Sequence, residues 1–256
     1  MTGGLGTAQK RDRLLTIVAL VAVIGLAWAY MLAGAGMSMH EMDGMLMPMR
    51  SQPVTVGYTV LVFVMWAAMM AAMMLPGAAP MILFYETVSR RRSVREDGVA
   101  NTGAFTAGYL LVWIGFSLIA AAIQIALELS ALLDSMMQTT SSLFAAALLI
   151  GAGLYQWTPL KRSCLRSCQS PLDFIMSNWQ EGARGAFVMG LRHGTICVGC
   201  CWALMLLLLV GGVMSLLWIA GIALFVLVEK LAPSGVWFSR VAGMVLVIWG
   251  VASIAL

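Results

Sequence analysis

Seven apolar stretches dominate the chain, at about 14–35, 54–76, 104–128, 139–157, 186–211, 214–230 and 236–255. Each approaches the roughly 20 residues that an α-helix needs to cross the hydrocarbon core of a bilayer. In such a layer backbone amides must find partners within their own segment, so helix is the form open to these stretches. The predicted fold class is all-α: a polytopic membrane helical bundle of about seven transmembrane helices, forming a single integral membrane domain over residues 1–256. Composition agrees, because 61% hydrophobic residues against 10% charged is far from the balance of a water-soluble domain. The second stretch stays apolar past Pro76 and Pro80 to about Val88, which predicts either one kinked helix or a span with a helical extension. The turn "GGVMS" between the fifth and sixth stretches predicts an antiparallel hairpin.

Basic residues orient the bundle. Lys10, Arg11 and Arg13 precede the first stretch, Arg90, Arg91, Arg92 and Arg95 follow the second, and Lys161, Arg162, Arg166, Arg184 and Arg192 lie between the fourth and fifth. Lys230 and Arg240 flank the last turn, and only Arg50 falls on the other side. Lys and Arg are retained on the cytoplasmic face, so the expected location is a bacterial inner membrane, with the N-terminus cytoplasmic and the C-terminus periplasmic. The net charge of +4 is accounted for by this orientation, and no nucleic-acid partner is implied. The first stretch lacks a clear small-residue cleavage site and is read as a retained helix. Two segments stand out between helices: a Met-rich outer loop over 37–53 and a cytoplasmic Cys/Arg loop over 158–192.

The cysteines are confined to one part of the chain. Cys164, Cys168, Cys197, Cys200 and Cys201 occupy 38 residues together with His193, one of two histidines. A reducing cytoplasm disfavours structural disulfides. At about 100° per residue, His193, Cys197 and Cys200 share a helical face, with Cys201 at its margin. Gly194 and Gly199 would let a neighbouring element approach that helix closely. Cys164 and Cys168, four residues apart in "CLRSC", can share a face of their own. Thiolates and an imidazole select zinc, monovalent copper or an iron–sulfur cluster. A free cysteine can also serve as a small apolar core residue.

Methionine is the second anomaly. "MSMHEMDGMLMPM" places Met37, Met39, Met42, Met45, Met47 and Met49 around His40, Glu41 and Asp43. Thioethers are soft, uncharged donors, so a flexible loop of this kind suits monovalent copper or silver; the alternative is an interfacial segment using Met as an adaptable apolar residue. "MWAAMMAAMMLP" then repeats Met65, Met69 and Met73 every four residues, with Met70 and Met74 alongside and alanines between. This stripe is either tight helix packing or a relay from the outer loop to the thiols. A relay of ligand exchanges would spare a cation the cost of crossing apolar surroundings bare.

Few acids lie within the apolar stretches. Glu229 beside Lys230 reads as an ordinary interfacial ion pair, and Gln124 and Gln156 as hydrogen-bonding glue between helices. No catalytic triad, phosphate-binding glycine loop or nucleotide-binding domain is present, so the reading is of a binding protein more than an enzyme.

Four motifs in order, "MWAAMMAAMMLPGAAPM", "GLYQWTPLKRSCLRSCQSP", "MGLRHGTICVGCCWALM" and "EKLAPSG", resemble the bacterial family of predicted metal-binding integral membrane proteins, a domain of unknown function. The resemblance covers roughly residues 60–235. It implies a helical membrane protein binding metal through Cys164, Cys168, His193, Cys197, Cys200 and Cys201. The Met loop and Met-x-x-x-Met helix are also locally similar to high-affinity copper uptake transporters, as an analogy.

Taken together, the expectation is a membrane protein that binds, and moves or delivers, monovalent copper, with zinc as the other candidate. Met37, Met39, His40, Met42, Met45, Met47 and Met49 would capture the ion, Met65, Met69 and Met73 would relay it, and His193 with the cysteines would receive it. The partners expected are the lipid bilayer, the metal ion, a cytosolic metal acceptor, and further copies or subunits of a membrane complex. Two rivals stand beside this: a membrane thiol oxidoreductase using Cys197 and Cys200, and an accessory subunit stabilised by zinc.

Overall fold

A computed structural model describes residues 3–36, 38–42, 45–49, 54–92, 98–133, 137 and 139–255, with backbone alone for 3–10, 38–42, 45–49, 91, 98–99 and 255. All seven apolar stretches are helical: α1 (Gly3–Leu32), α2 (Val56–Arg92), α3 (Gly98–Leu129), α4 (Ser142–Tyr155), α7 (Gly182–Leu206), α9 (Leu216–Leu231) and α10 (Gly235–Ala255). Three shorter helices complete the set: α5 (Pro159–Gln169), α6 (Pro171–Asn178) and α8 (Leu208–Gly211). Among the described residues, five helices are long and apolar enough to cross a membrane: α1, α2, α3, α7 with α8, and α10; α4 and α5, bent by 64°, pass as a pair. α9, with 16 residues, is shorter than a full span.

Several details differ from the sequence expectations. α2 runs as one continuous helix through Pro76 and Pro80. The segment 158–192 holds α5, α6 and the start of α7. Thr158 caps α5, its side chain accepting from the Lys161 amide, with Pro159 in the first turn where a missing N–H costs nothing. The Met-rich segment is a two-stranded antiparallel hairpin, β1 (Ser38–Met42) and β2 (Met45–Met49), rather than an irregular loop. Its register pairs His40 with Met47, Met42 with Met45 and Ser38 with Met49. Met37 lies outside the described residues, as do the side chains of Met39, His40, Met42, Met45, Met47 and Met49. The expected α7–α9 hairpin is also modified: α8 and a turn at Gly212, with φ of +88°, intervene, and α9 packs mainly on α2.

The tightest packing joins α3 to α7. A Cβ on Gly190 would lie 2.0 Å from the Phe105 carbonyl oxygen, and one on Gly108 would lie 2.3 Å from that of Phe187. Only glycine lets two helix backbones meet this closely. The buried side of α2, carrying Met65, Trp66, Met69, Met70, Met73 and Met74, forms much of the core. A polar clamp ties the α2 start to the α3 end: Tyr58 Oη donates to both Glu128 carboxylate oxygens at 2.9 and 3.0 Å. Gln124 donates to Glu128 at 2.8 Å and accepts from Trp66 Nε1 at 2.7 Å. Buried polar groups linked this way leave no donor or acceptor stranded and fix the register of the two helices.

Candidate metal centre

The interior face of α7 presents His193, Cys197, Cys200 and Cys201, all buried. The 100° step of the helix accounts for their shared side. α5 lies against this face because both helices are small where they meet: a Cβ on Gly199 would lie 2.9 Å from Cys164 Sγ. Tyr155, just before the bend into α5, donates to the Gly199 carbonyl. Gly194 performs the corresponding service toward α3, where an added Cβ would lie 2.9 Å from Val112. Both glycines expected to admit a neighbour do so.

This packing brings Cys168 of α5 onto the α7 thiols. The sulfurs of Cys168, Cys197 and Cys200 all lie within 4.8 Å of one another, and Cys168 and Cys200 are 4.0 Å apart. An ion about 2.3 Å from each of three thiolates in a plane would hold the sulfurs about 4.0 Å apart, so the donor set fits a soft metal ion without large rearrangement. Cys164, one turn earlier, packs on Gly199 and stands outside the cluster.

Cys201 sits beside the triad. Its thiol donates to the Cys197 carbonyl at 3.0 Å and points at Met74 Sδ, 3.8 Å away. Met74 comes from α2, so the methionine helix does reach the thiols, through Met74 where Met73 was expected. Met65, Met69 and Met73 are buried in the same core.

His193 is not part of the compact donor group. Its ring stacks on Tyr109 and Phe105, with centroids at 5.6 and 6.1 Å, and meets the edge of Phe174 at 5.3 Å. Its Nδ1 has no hydrogen-bond partner among the described residues, which leaves a buried nitrogen available one turn from Cys197.

Two residues at the centre were not recognised as such from the sequence. Lys230 Nζ lies 2.9 Å from Cys197 Sγ and 3.8 Å from Met74 Sδ. Tyr109 Oη is 3.2 Å from Cys197 Sγ and donates to the Met74 carbonyl at 3.1 Å, stitching α3 to α2 and α7. The expected Glu229–Lys230 ion pair does not exist. Adjacent helix positions diverge by about 100°, so Glu229 turns away to a fully buried pair with Lys161, at 2.8 and 2.9 Å. Ser239 also donates to Glu229, while Gln169 donates to the carbonyls of Glu229 and Ala232. The "EK" dipeptide was the only signal, and it gave no hint of two separate partners.

A helical fold that brings together three thiols from two helices, Cys197 and Cys200 buried and Cys168 half-buried, carries a donor set that could hold a soft metal ion. Residues 63–253 match the family model PpoB2, described as a copper chaperone. That match spans well over half of the chain, which belongs to the PpoB2 copper-chaperone family. No curated protein and no solved structure is a match.

Proposed function

We propose that this chain is an integral membrane copper chaperone that takes monovalent copper as cargo at Cys168, Cys197 and Cys200 and passes it to an acceptor. The observation that carries the reading is the convergence of three sulfurs, from α5 and α7, to within 4.8 Å of one another inside a chain of the copper-chaperone family. Three thiolates suit a monovalent ion that accepts trigonal sulfur coordination, and copper is the softest common candidate.

Five long apolar helices and the bent α4–α5 pair support insertion in a membrane, and the basic residues favour a cytoplasmic N-terminus in a bacterial inner membrane. In that orientation the Met hairpin faces outward and collects copper, and the buried methionines of α2 lead to Met74 at the thiols. Thiolates hold the ion more tightly than thioethers, so movement along this line is downhill toward the cluster. Cys201 and His193 are secondary donors flanking the triad, and Cys164 positions α5. An acceptor on the cytoplasmic side then withdraws the ion by ligand exchange.

The deciding experiment loads the purified full chain anaerobically with Cu(I) and reads the coordination by X-ray absorption. The reading expects about one tightly bound copper with sulfur neighbours at about 2.3 Å, lost on replacing Cys168, Cys197 and Cys200 with Ser. Undiminished copper in the folded triple variant would overturn it. The 4.0 Å separation of Cys168 and Cys200 also keeps a thiol–disulfide reading open. Accumulation of a mixed disulfide with a substrate thiol in Cys200→Ser, with no copper bound by the parent, would favour that reading.

A further inference from the structure

The amine of Lys230 is buried deep among sulfurs, and its surroundings leave it a single kind of counter-charge. Among the described residues, no carboxylate lies within ion-pair distance of it: its neighbour Glu229 is bound to Lys161 and Ser239. Its contacts are Cys197 Sγ at 2.9 Å and Met74 Sδ at 3.8 Å. The side chain reaches them by crossing α2 at Gly77, where an added Cβ would come within 3.0 Å of Lys230 Cδ and 3.6 Å of Nζ. A lysine has been threaded past a glycine to place an ammonium beside a proposed metal-binding thiol.

We propose that Lys230 is the charge selector of the thiol site, favouring a monovalent over a divalent cation. The proposal rests on the copper reading above and assigns its ion preference to a residue that is not itself a ligand. An ion bonded to Cys197 can lie no farther than about 5 Å from the ammonium, the sum of the 2.9 Å contact and a metal–thiolate bond of ~2.3 Å. Coulomb repulsion from a fixed positive charge scales with the charge of the ion, so a divalent ion is opposed twice as strongly as a monovalent one. Whatever the ligands contribute, removing the ammonium relieves the divalent ion by one extra unit of that repulsion. Softness alone would let zinc compete for three thiolates; the ammonium tips the site toward copper. Silver, monovalent and soft, is affected as copper is.

The test uses the full chain in detergent or lipid nanodiscs. It compares affinities for Cu(I), Ag(I) and Zn(II), each measured by competition against a chelator of known affinity under anaerobic conditions. Lys230→Leu and Lys230→Ala remove the charge with different losses of volume and add no new metal donor. Gly77→Ala keeps the charge and crowds its path, and it serves should neither lysine variant fold. The expected result is a shift of the zinc-to-copper affinity ratio toward zinc by about tenfold or more in the lysine variants, and by a smaller factor in Gly77→Ala. The silver-to-copper ratio should stay where it is in the parent. Equal loss of all three metals, an unchanged zinc-to-copper ratio, or a shift toward copper would each overturn the selector role. A parent protein that binds no Cu(I) would instead overturn the copper reading on which it stands.

Discussion

Lys161 and Glu229, 68 residues apart in the chain, form a doubly bonded ion pair with neither side chain exposed to solvent. The pair fastens α5, which carries Cys168, to α9, which carries Lys230. A buried pair of this kind resists loss of one partner far more than loss of both, because a lone buried charge has nothing to offset its desolvation. Lys161→Met should therefore destabilise the protein by about 3–5 kcal/mol, while Lys161→Met combined with Glu229→Leu should recover much of that loss. Thermal unfolding in detergent measures both; a double variant as unstable as the single would show that the two charges are not coupled.

The thiol geometry ranks the five cysteines. Ser at Cys168, Cys197 or Cys200 should each remove most tightly bound copper, because a hydroxyl is a hard and poorly ionised replacement. Cys201→Ser should weaken retention less, and Cys164→Ser should leave stoichiometry intact, since its sulfur packs on Gly199 outside the cluster. Copper per folded protein after exhaustive dialysis checks the order. Sequence spacing alone treats Cys164 and Cys168 alike, so a reversal of those two would refute the packing of α5 described here.

The α3–α7 seam tolerates no side chain at Gly190, where a Cβ would meet the Phe105 carbonyl oxygen at 2.0 Å. Gly190→Ala should cost at least the upper end of the roughly 1–3 kcal/mol of ordinary overpacking, because the obstacle is backbone and cannot rotate away. Gly151, with open space around its missing Cβ, is the control: Gly151→Ala should be neutral or slightly stabilising through better helix propensity. Comparing the two unfolding midpoints decides whether the seam is as tight as described.

The proposed capture of copper by the Met-rich segment makes a concentration-dependent prediction. Replacing Met37, Met39, Met42, Met45, Met47 and Met49 with Leu changes volume and apolarity little but removes six soft donors. Accumulation of radioactive copper in vesicles should slow at limiting copper and approach the parental rate when copper is abundant. Equal rates at low copper would remove the hairpin from the copper path.

The proposed orientation expects a reporter fused after Leu256 to be periplasmic and one inserted within 89–98 to be cytoplasmic. Both reporters on one side would contradict the proposed topology and the inward direction of delivery with it.

The sequence by itself determined which stretches are helical, because apolar runs of this length satisfy their backbone amides most readily within one helix. It also determined that His193, Cys197 and Cys200 share a side of α7, since that follows from the helical repeat alone, and that Gly194 and Gly199 mark close approaches. These are properties of one element and its own residues. Only the tertiary structure decided that Cys168 joins the thiols while Cys164 does not, and that Met74 rather than Met73 reaches them. It also turned the hairpin residues into paired strands. It alone separated Glu229 from Lys230, sending one to Lys161 and the other to Cys197. Each of those outcomes depends on how a helix is rotated about its axis against a partner distant in the chain. That rotation is set by where glycines admit a neighbour and by which buried charges can find one another, and neither leaves a periodic trace in the sequence.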